Sequence, residues 1–143
     1  MIVNQLKELN LNVHCHSYGD KIKKNTDIYL VDAYGKTKSF YSLCKTVFLG
    51  GSIIRHGGQN PLEPARYGCK ILHGPHIWNF GEIYQLLKEY SVSSKINSME
   101  QLIKQTDKDF IKKSNSLKIK TKIKNIGDKI LNSTFKEIKS FVK

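Results

Sequence analysis

The chain has 143 residues, the size of one domain and enough to bury a hydrophobic core. Its 39% hydrophobic content, with 10 Gly and 3 Pro, fits a globular protein, and no run of 18 apolar residues is present to span a bilayer. The net charge of +12 is uneven, because the stretch from Ser94 to Lys143 holds 13 lysines against 5 acids. Such a tail reads first as a solvated helical face, with acidic partners or an anionic membrane as the alternative; no nucleic-acid partner is expected on charge alone. The N-terminal stretch lacks the basic-then-apolar pattern of a signal peptide. Cys15, Cys44 and Cys69 are isolated in apolar contexts with no zinc or redox spacing, and they read as buried, reduced thiols.

In chain order, Ile2, Leu6 and Leu9 recur on one face and predict a helix over 2–10. Residues 11–16 alternate and lead into a polar turn, which predicts a strand. Residues 27–31 predict a second strand that places Asp32 at its carboxyl end. A short helix follows over 37–45, with Phe40, Leu43 and Cys44 inward. Residues 79–90 predict a helix capped by Asn79, with Glu82 at the capping-box position and Ile83, Leu86 and Leu87 as its stripe. After a polar connection with room for one strand, Ser98 caps a helix that runs to about residue 105 or 106. A last helix is expected over 107–141, broken near residues 114–116, with an apolar stripe of Ile119, Ile123, Ile126, Ile130, Leu131, Phe135 and Ile138. The division expected is 1–106 as a nucleotide-binding domain and 107–143 as a basic helical extension.

The chain is organised around residues 47–80. Val47-Phe48-Leu49 reads as a buried parallel strand that ends at Gly50-Gly51. A loop from Ser52 to Gln59 carries a second glycine pair, Gly57-Gly58. Asn60 suits an N-cap, Pro61 the first helical position, and Glu63 the capping-box acid. Gly68 stops this helix in a left-handed conformation, and residues 70–73 form the next strand, followed by Gly74-Pro75. Strand, glycine loop and helix therefore occur twice. The pattern puts two helix starts at the carboxyl edge of a parallel sheet, where open α/β sheets bind ligands and bare amides favour a phosphate.

The same residues carry a resemblance. Gly50-Gly51-Ser52, then residues 57–64 (GGQNPLEP), Gly74-Pro75 and Asn79-Phe80 resemble the signature of 3-deoxy-D-manno-octulosonic acid (Kdo) transferases, and similarity extends upstream through residues 32–36. The resemblance implies an α/β fold: a single Rossmann-like domain with a parallel sheet flanked by helices, the C-terminal half of a GT-B glycosyltransferase, plus a long C-terminal helix. The implied reaction transfers Kdo from CMP-Kdo to a lipid A precursor at the cytosolic face of the inner membrane, without metal or cofactor. The catalytic base is expected in an acceptor domain that precedes this part, so no catalytic residue is assigned here. On this reading the chain is a C-terminal fragment, from a split or decayed gene or a gene model begun at an internal Met. A separately encoded N-terminal half is the expected partner. The other readings are a non-catalytic remnant or partner-binding subunit, and a transferase for another nucleotide sugar.

The donor residues implied are Tyr34, Gly35, Lys36, Ser52, Gly57, Gly58, Asn60, Pro61, Leu62 and Glu63. Glu63 would accept hydrogen bonds from the ribose hydroxyls; the capping box is its structural alternative. Asn60, Pro61 and Leu62 share the nucleotide contact or simply start the helix. Gly57 and Gly58 allow close approach or shape the loop. Ser52 donates to the donor or satisfies a strand end. Tyr34-Gly35-Lys36 matches a cytidine-contacting segment, although the family usually has Glu at position 36 and Thr at position 33. Arg55 and His56 are available to anions, or are solvated. The five histidines match no metal-site pattern.

Overall fold

The computed structural model describes residues 2–111 and 115–142, apart from the side chains of Phe110 and Ile111. The chain divides into two compact units, Met1–Thr37 and Lys38–Lys143. In the first, helix α1 (Ile2–Glu8) leads to the parallel pair β1 (Val13–Cys15) and β2 (Ile28–Leu30), with Val13 opposite Ile28. Asp27 and Asp32 are two of the carboxylates that tie its loops. Asp27 accepts from the backbone and side-chain amides of Asn12, at 2.8 and 3.0 Å. Asp32 accepts from the Ser17 hydroxyl and from the Ser17 amide. These bonds hold both carboxyls below their usual range, the Asn12 amide leading for Asp27 and the Ser17 hydroxyl for Asp32.

The second unit runs α2 (Thr37–Leu43, whose first residue closes the first unit), β3 (Thr46–Leu49), α3 (Leu62–Arg66), β4 (Lys70–His73), a single 3₁₀ turn at Trp78–Phe80, α4 (Gly81–Glu89), β5 (Ser93–Lys95), α5 (Met99–Ile111) and α6 (Ser116–Phe141). Its strands are parallel in the order β3-β4-β5, with Thr46 opposite Lys70 and Ile71 opposite Ser93. The fold is the expected α/β arrangement of parallel strands flanked by helices. Its ladders, however, form a two-stranded and a three-stranded sheet instead of one. Leu49, Ala65, Cys69, Ile71, Tyr84, Leu87, Val92 and Ile123 make the core of the second unit.

Several local expectations are corrected. In α2, Leu43 is 78% exposed and Cys44 is also exposed, because Tyr41 instead turns inward against the core beside Tyr67. Asn79 does not cap α4, which begins two residues later. Ser98 caps α5 as expected, accepting from the Gln101 amide at 3.2 Å. That helix continues past residue 106 to Ile111, supported by the Thr106 hydroxyl on the Leu102 carbonyl and by Gln105 on Asp109. The residues from 107 to 111 therefore belong to α5, and α6 begins at Ser116. The expected break at 114–116 lies partly outside the described residues. Among those described, no helix is long and apolar enough to cross a membrane.

Gly68 ends α3 with φ +84°, and a Cβ there would collide with the Ser116 carbonyl and hydroxyl at the start of α6. The α6 stripe splits in two. Ile119, Ile123 and Ile126 pack on the core, whereas Ile130, Leu131, Phe135 and Ile138 are all more than half exposed. Ile123→Ala should therefore cost about 2–5 kcal/mol in urea unfolding. Ile130→Ala should stay within about 0.5 kcal/mol. Equal losses from the two variants would contradict this division of the helix.

Candidate functional site

The site begins where β3 ends. Ser52 is fully buried; its hydroxyl donates to the Leu49 carbonyl at 2.6 Å and accepts from the Gly74 amide at 2.8 Å. The Ser52 carbonyl accepts from the His76 amide at 2.9 Å. The ends of β3 and β4 are thereby locked together, and the hydroxyl is occupied as a strand-end partner. Gly74 must be glycine, because a Cβ would fall on the Ser52 backbone.

The loop beyond Ser52 closes on itself through the Gly58 amide and the Gly51 carbonyl, at 2.9 Å. It is then pinned to the second crossing by three bonds. The Asn79 amide donates to the Gly57 carbonyl at 3.1 Å, and Asn79 Nδ2 donates to the His56 carbonyl at 3.3 Å. The Tyr84 hydroxyl donates to the Gln59 carbonyl at 2.9 Å. Gly57 and Gly58 hold φ of +94° and +79°, and a Cβ on Gly57 would strike the Asn79 side chain. All three pinning bonds use loop carbonyls. The amides of Ile53, Ile54, Arg55, Gln59 and Asn60, all in exposed residues, donate none of the hydrogen bonds among the described residues. A loop whose carbonyls are taken up by the second crossing and whose amides carry no such bond can bind an anion.

The helix start contributes less than the sequence implied. The Leu62 amide donates to Asn60 Oδ1 at 3.0 Å, so Asn60 does cap the turn. Pro61 and Pro64 have no N–H, and the Ala65 amide donates to the Pro61 carbonyl. Glu63 alone keeps a first-turn amide outside these bonds. Glu63 is half-buried as a residue, and its carboxylate forms no capping box, because no bond joins it to the Asn60 amide. Among the described residues the Glu63 carboxylate forms no hydrogen bond or ion pair, and its charge lies close enough to Tyr41 to help hold that phenol above its ordinary value, after burial.

Beneath the loops lies a pair that the sequence reading missed. His73 is 4% exposed, and its Nδ1 sits 2.7 Å from the Gly74 carbonyl; the carbonyl can only accept, which fixes the proton on Nδ1. Its ring centroid is 4.4 Å from that of Tyr84, which is 1% exposed. Burial pushes the Tyr84 hydroxyl up to about 12 and the His73 imidazole below its ordinary value. The signals were present, since strand alternation puts His73 on the face of Ile71, and Tyr84 lies one turn before Leu87.

Ser52, Gly57, Gly58 and the run Asn60, Pro61, Leu62, Glu63 come together in the second unit. Tyr34, Gly35 and Lys36 belong to the first; Tyr34 is fully exposed and Gly35 has φ +77°. Arg55 and His56 are exposed in the loop. His14 pairs with the Thr26 hydroxyl and His16 with Tyr29. Among the described residues, no group of three or more His, Cys, Asp or Glu could hold a metal ion.

A parallel α/β unit with paired glycine loops at the carboxyl ends of β3 and β4 has the make-up of a nucleotide-binding domain. No family profile matches the chain. It is similar to curated 3-deoxy-D-manno-octulosonic acid transferases. That of Haemophilus influenzae is 28% identical over 92% of this chain and 30% of its own length. That of Rickettsia typhi is 31% identical over 99% of this chain and 31% of its own length. The chain thus spans about a third of the length of the relatives it matches. Its fold matches the crystal structure of the C-terminal CMP-Kdo binding domain of WaaA from Acinetobacter baumannii, with a TM-score of 0.78, 24% identity, and coverage of 87% of this chain and 65% of that one.

Protonation of His73 should loosen the folded state. The folded His73 value lies below 6.5, so as pH falls from 6.5 the unfolded chain binds a proton that the folded chain refuses. The His73 contribution to stability is present above that pH and lost as pH falls toward the folded value. The Tm difference between pH 7.5 and pH 5 should therefore shrink in His73→Phe; an unchanged difference would exclude His73 as the titrating group.

Proposed function

We propose that this chain is the donor-binding half of a Kdo transferase, holding CMP-Kdo for transfer to a lipid A precursor. Its likeness, along almost the whole chain, to transferases of that name is the main support. The observation that carries the chemistry is the polarity of the first glycine loop, with carbonyls pinned inward and exposed amides left to solvent.

The CMP phosphate sits against those amides. As the bond to the sugar breaks, charge grows on the leaving phosphate and the fixed N–H dipoles stabilise it with little reorganisation. Glu63 accepts the two ribose hydroxyls, a pairing that suits an ionised carboxylate. Deprotonation of the acceptor hydroxyl is assigned to a base in the part of the relatives that this chain does not span. The lysine-rich α6 suits work beside an anionic lipid surface, at the cytosolic face of the inner membrane.

Calorimetric titration tests this reading. CMP should bind more tightly than UMP, and Glu63→Gln should weaken CMP about tenfold or more, the loss expected for a charge-assisted hydrogen bond. Equal affinity for UMP would point to another nucleotide sugar. Transfer of Kdo by the isolated chain would overturn the assignment of the base.

A further inference from the structure

The Tyr84–His73 pair does more than fill the core. Its ring is buried, as a phenylalanine would be, but its hydroxyl reaches out of α4 to the Gln59 carbonyl at 2.9 Å. The peptide between Gln59 and Asn60 is planar and trans, so its C=O and N–H point in opposite directions. A carbonyl held inward by Tyr84 therefore turns the Asn60 amide outward. Asn60 is exposed, and its amide donates none of the hydrogen bonds among the described residues. Behind Tyr84, the His73 ring fixes the phenol from the strand side and ties its own Nδ1 to the Gly74 carbonyl, in the second glycine loop.

We infer that Tyr84 is a positioning residue that aims the Asn60 amide at the bound phosphate, and that with His73 it sets the spacing of the two glycine loops. The identity of the ligand rests on the proposed function; the pinning of the loop does not. A hydroxyl in this role gives the loop a rigidity that its glycines cannot supply, since Gly57 and Gly58 leave the backbone unusually free. The Asn79 contacts restrain the loop at His56 and Gly57, so that Tyr84 is left to fix its exit into α3.

The test compares the whole chain with Tyr84→Phe, and with Leu87→Ala as a control that loses core packing from the same helix without touching the loop. Amide hydrogen exchange over residues 51–60, Tm, and titrations with CMP and with cytidine are measured for each. In Tyr84→Phe, exchange at Gly58, whose amide the Gly51 carbonyl holds at 2.9 Å, should quicken, and CMP affinity should fall about tenfold, one hydrogen bond's worth, with cytidine affinity unchanged. Leu87→Ala should lower Tm while keeping the wild-type ratio of CMP to cytidine affinity. Wild-type exchange at Gly58 in Tyr84→Phe would overturn the proposal, as would the same loss of the CMP-to-cytidine ratio in Leu87→Ala. If exchange quickens but the wild-type chain itself takes no CMP, the pinning by Tyr84 stands and the proposed function fails.

Discussion

The site depends on the direction of the hydrogen bonds that join the two strand-to-helix crossings. The second crossing donates through the amides of Asn79 and His76, the Asn79 carboxamide and the Tyr84 hydroxyl, and the first crossing accepts through its carbonyls. A reversed polarity would give an equally stable loop with its carbonyls facing water, and such a loop would repel a phosphate. The glycines serve this arrangement in two ways. Gly57 lets Asn79 come against the backbone, and Gly74 lets β4 close on Ser52. Positive φ at Gly57 and Gly58 then lets the chain reverse within the space that remains.

Among the described residues, the amides that donate no bond lie in the loop more than at the start of α3. A helix start offers several free amides in general, but α3 has two prolines in its first turn and an asparagine that takes a third position for itself. What the Asn-Pro-Leu-Glu run provides is a rigid exit from the loop and a carboxylate at its mouth. On the proposed function, Glu63 and the loop amides would meet the two sides of a nucleotide, sugar hydroxyls and phosphate, with opposite chemistries.

Much of this was legible in the sequence because the controlling residues are local. Gly68 as a helix stop and residues 70–73 as a strand follow from backbone preference within a few positions, and the structure has them there. The roles of Asn79 and Tyr84 were not legible, because each acts on a partner about 25 positions away. Asn79 looked like a cap since Asn before a helix usually is one, but it lies inside the 3₁₀ turn ahead of α4, where its amide and its Nδ2 donate to the Gly57 and His56 carbonyls. The inward face of α2 failed for a similar reason. A two-turn helix fits several apolar sets, and only contact with Tyr67 selects Tyr41 over Leu43.

The long C-terminal helix shows how far the site is self-sufficient. Its first half is part of the core, since Ile123 is buried there and Gly68 exists as glycine to let Ser116 approach. Its second half keeps the same apolar character without being buried by the unit, and the stabilisation expected from those side chains is not realised within the described residues. None of the bonds that orient the glycine loops comes from beyond Tyr84. The loop geometry therefore depends on β3, β4 and α4, and on α6 only through its buried first half. The glycine-loop geometry and the exposed half of α6 are physically separable, and the end of the helix can change shape without re-aiming the loop amides.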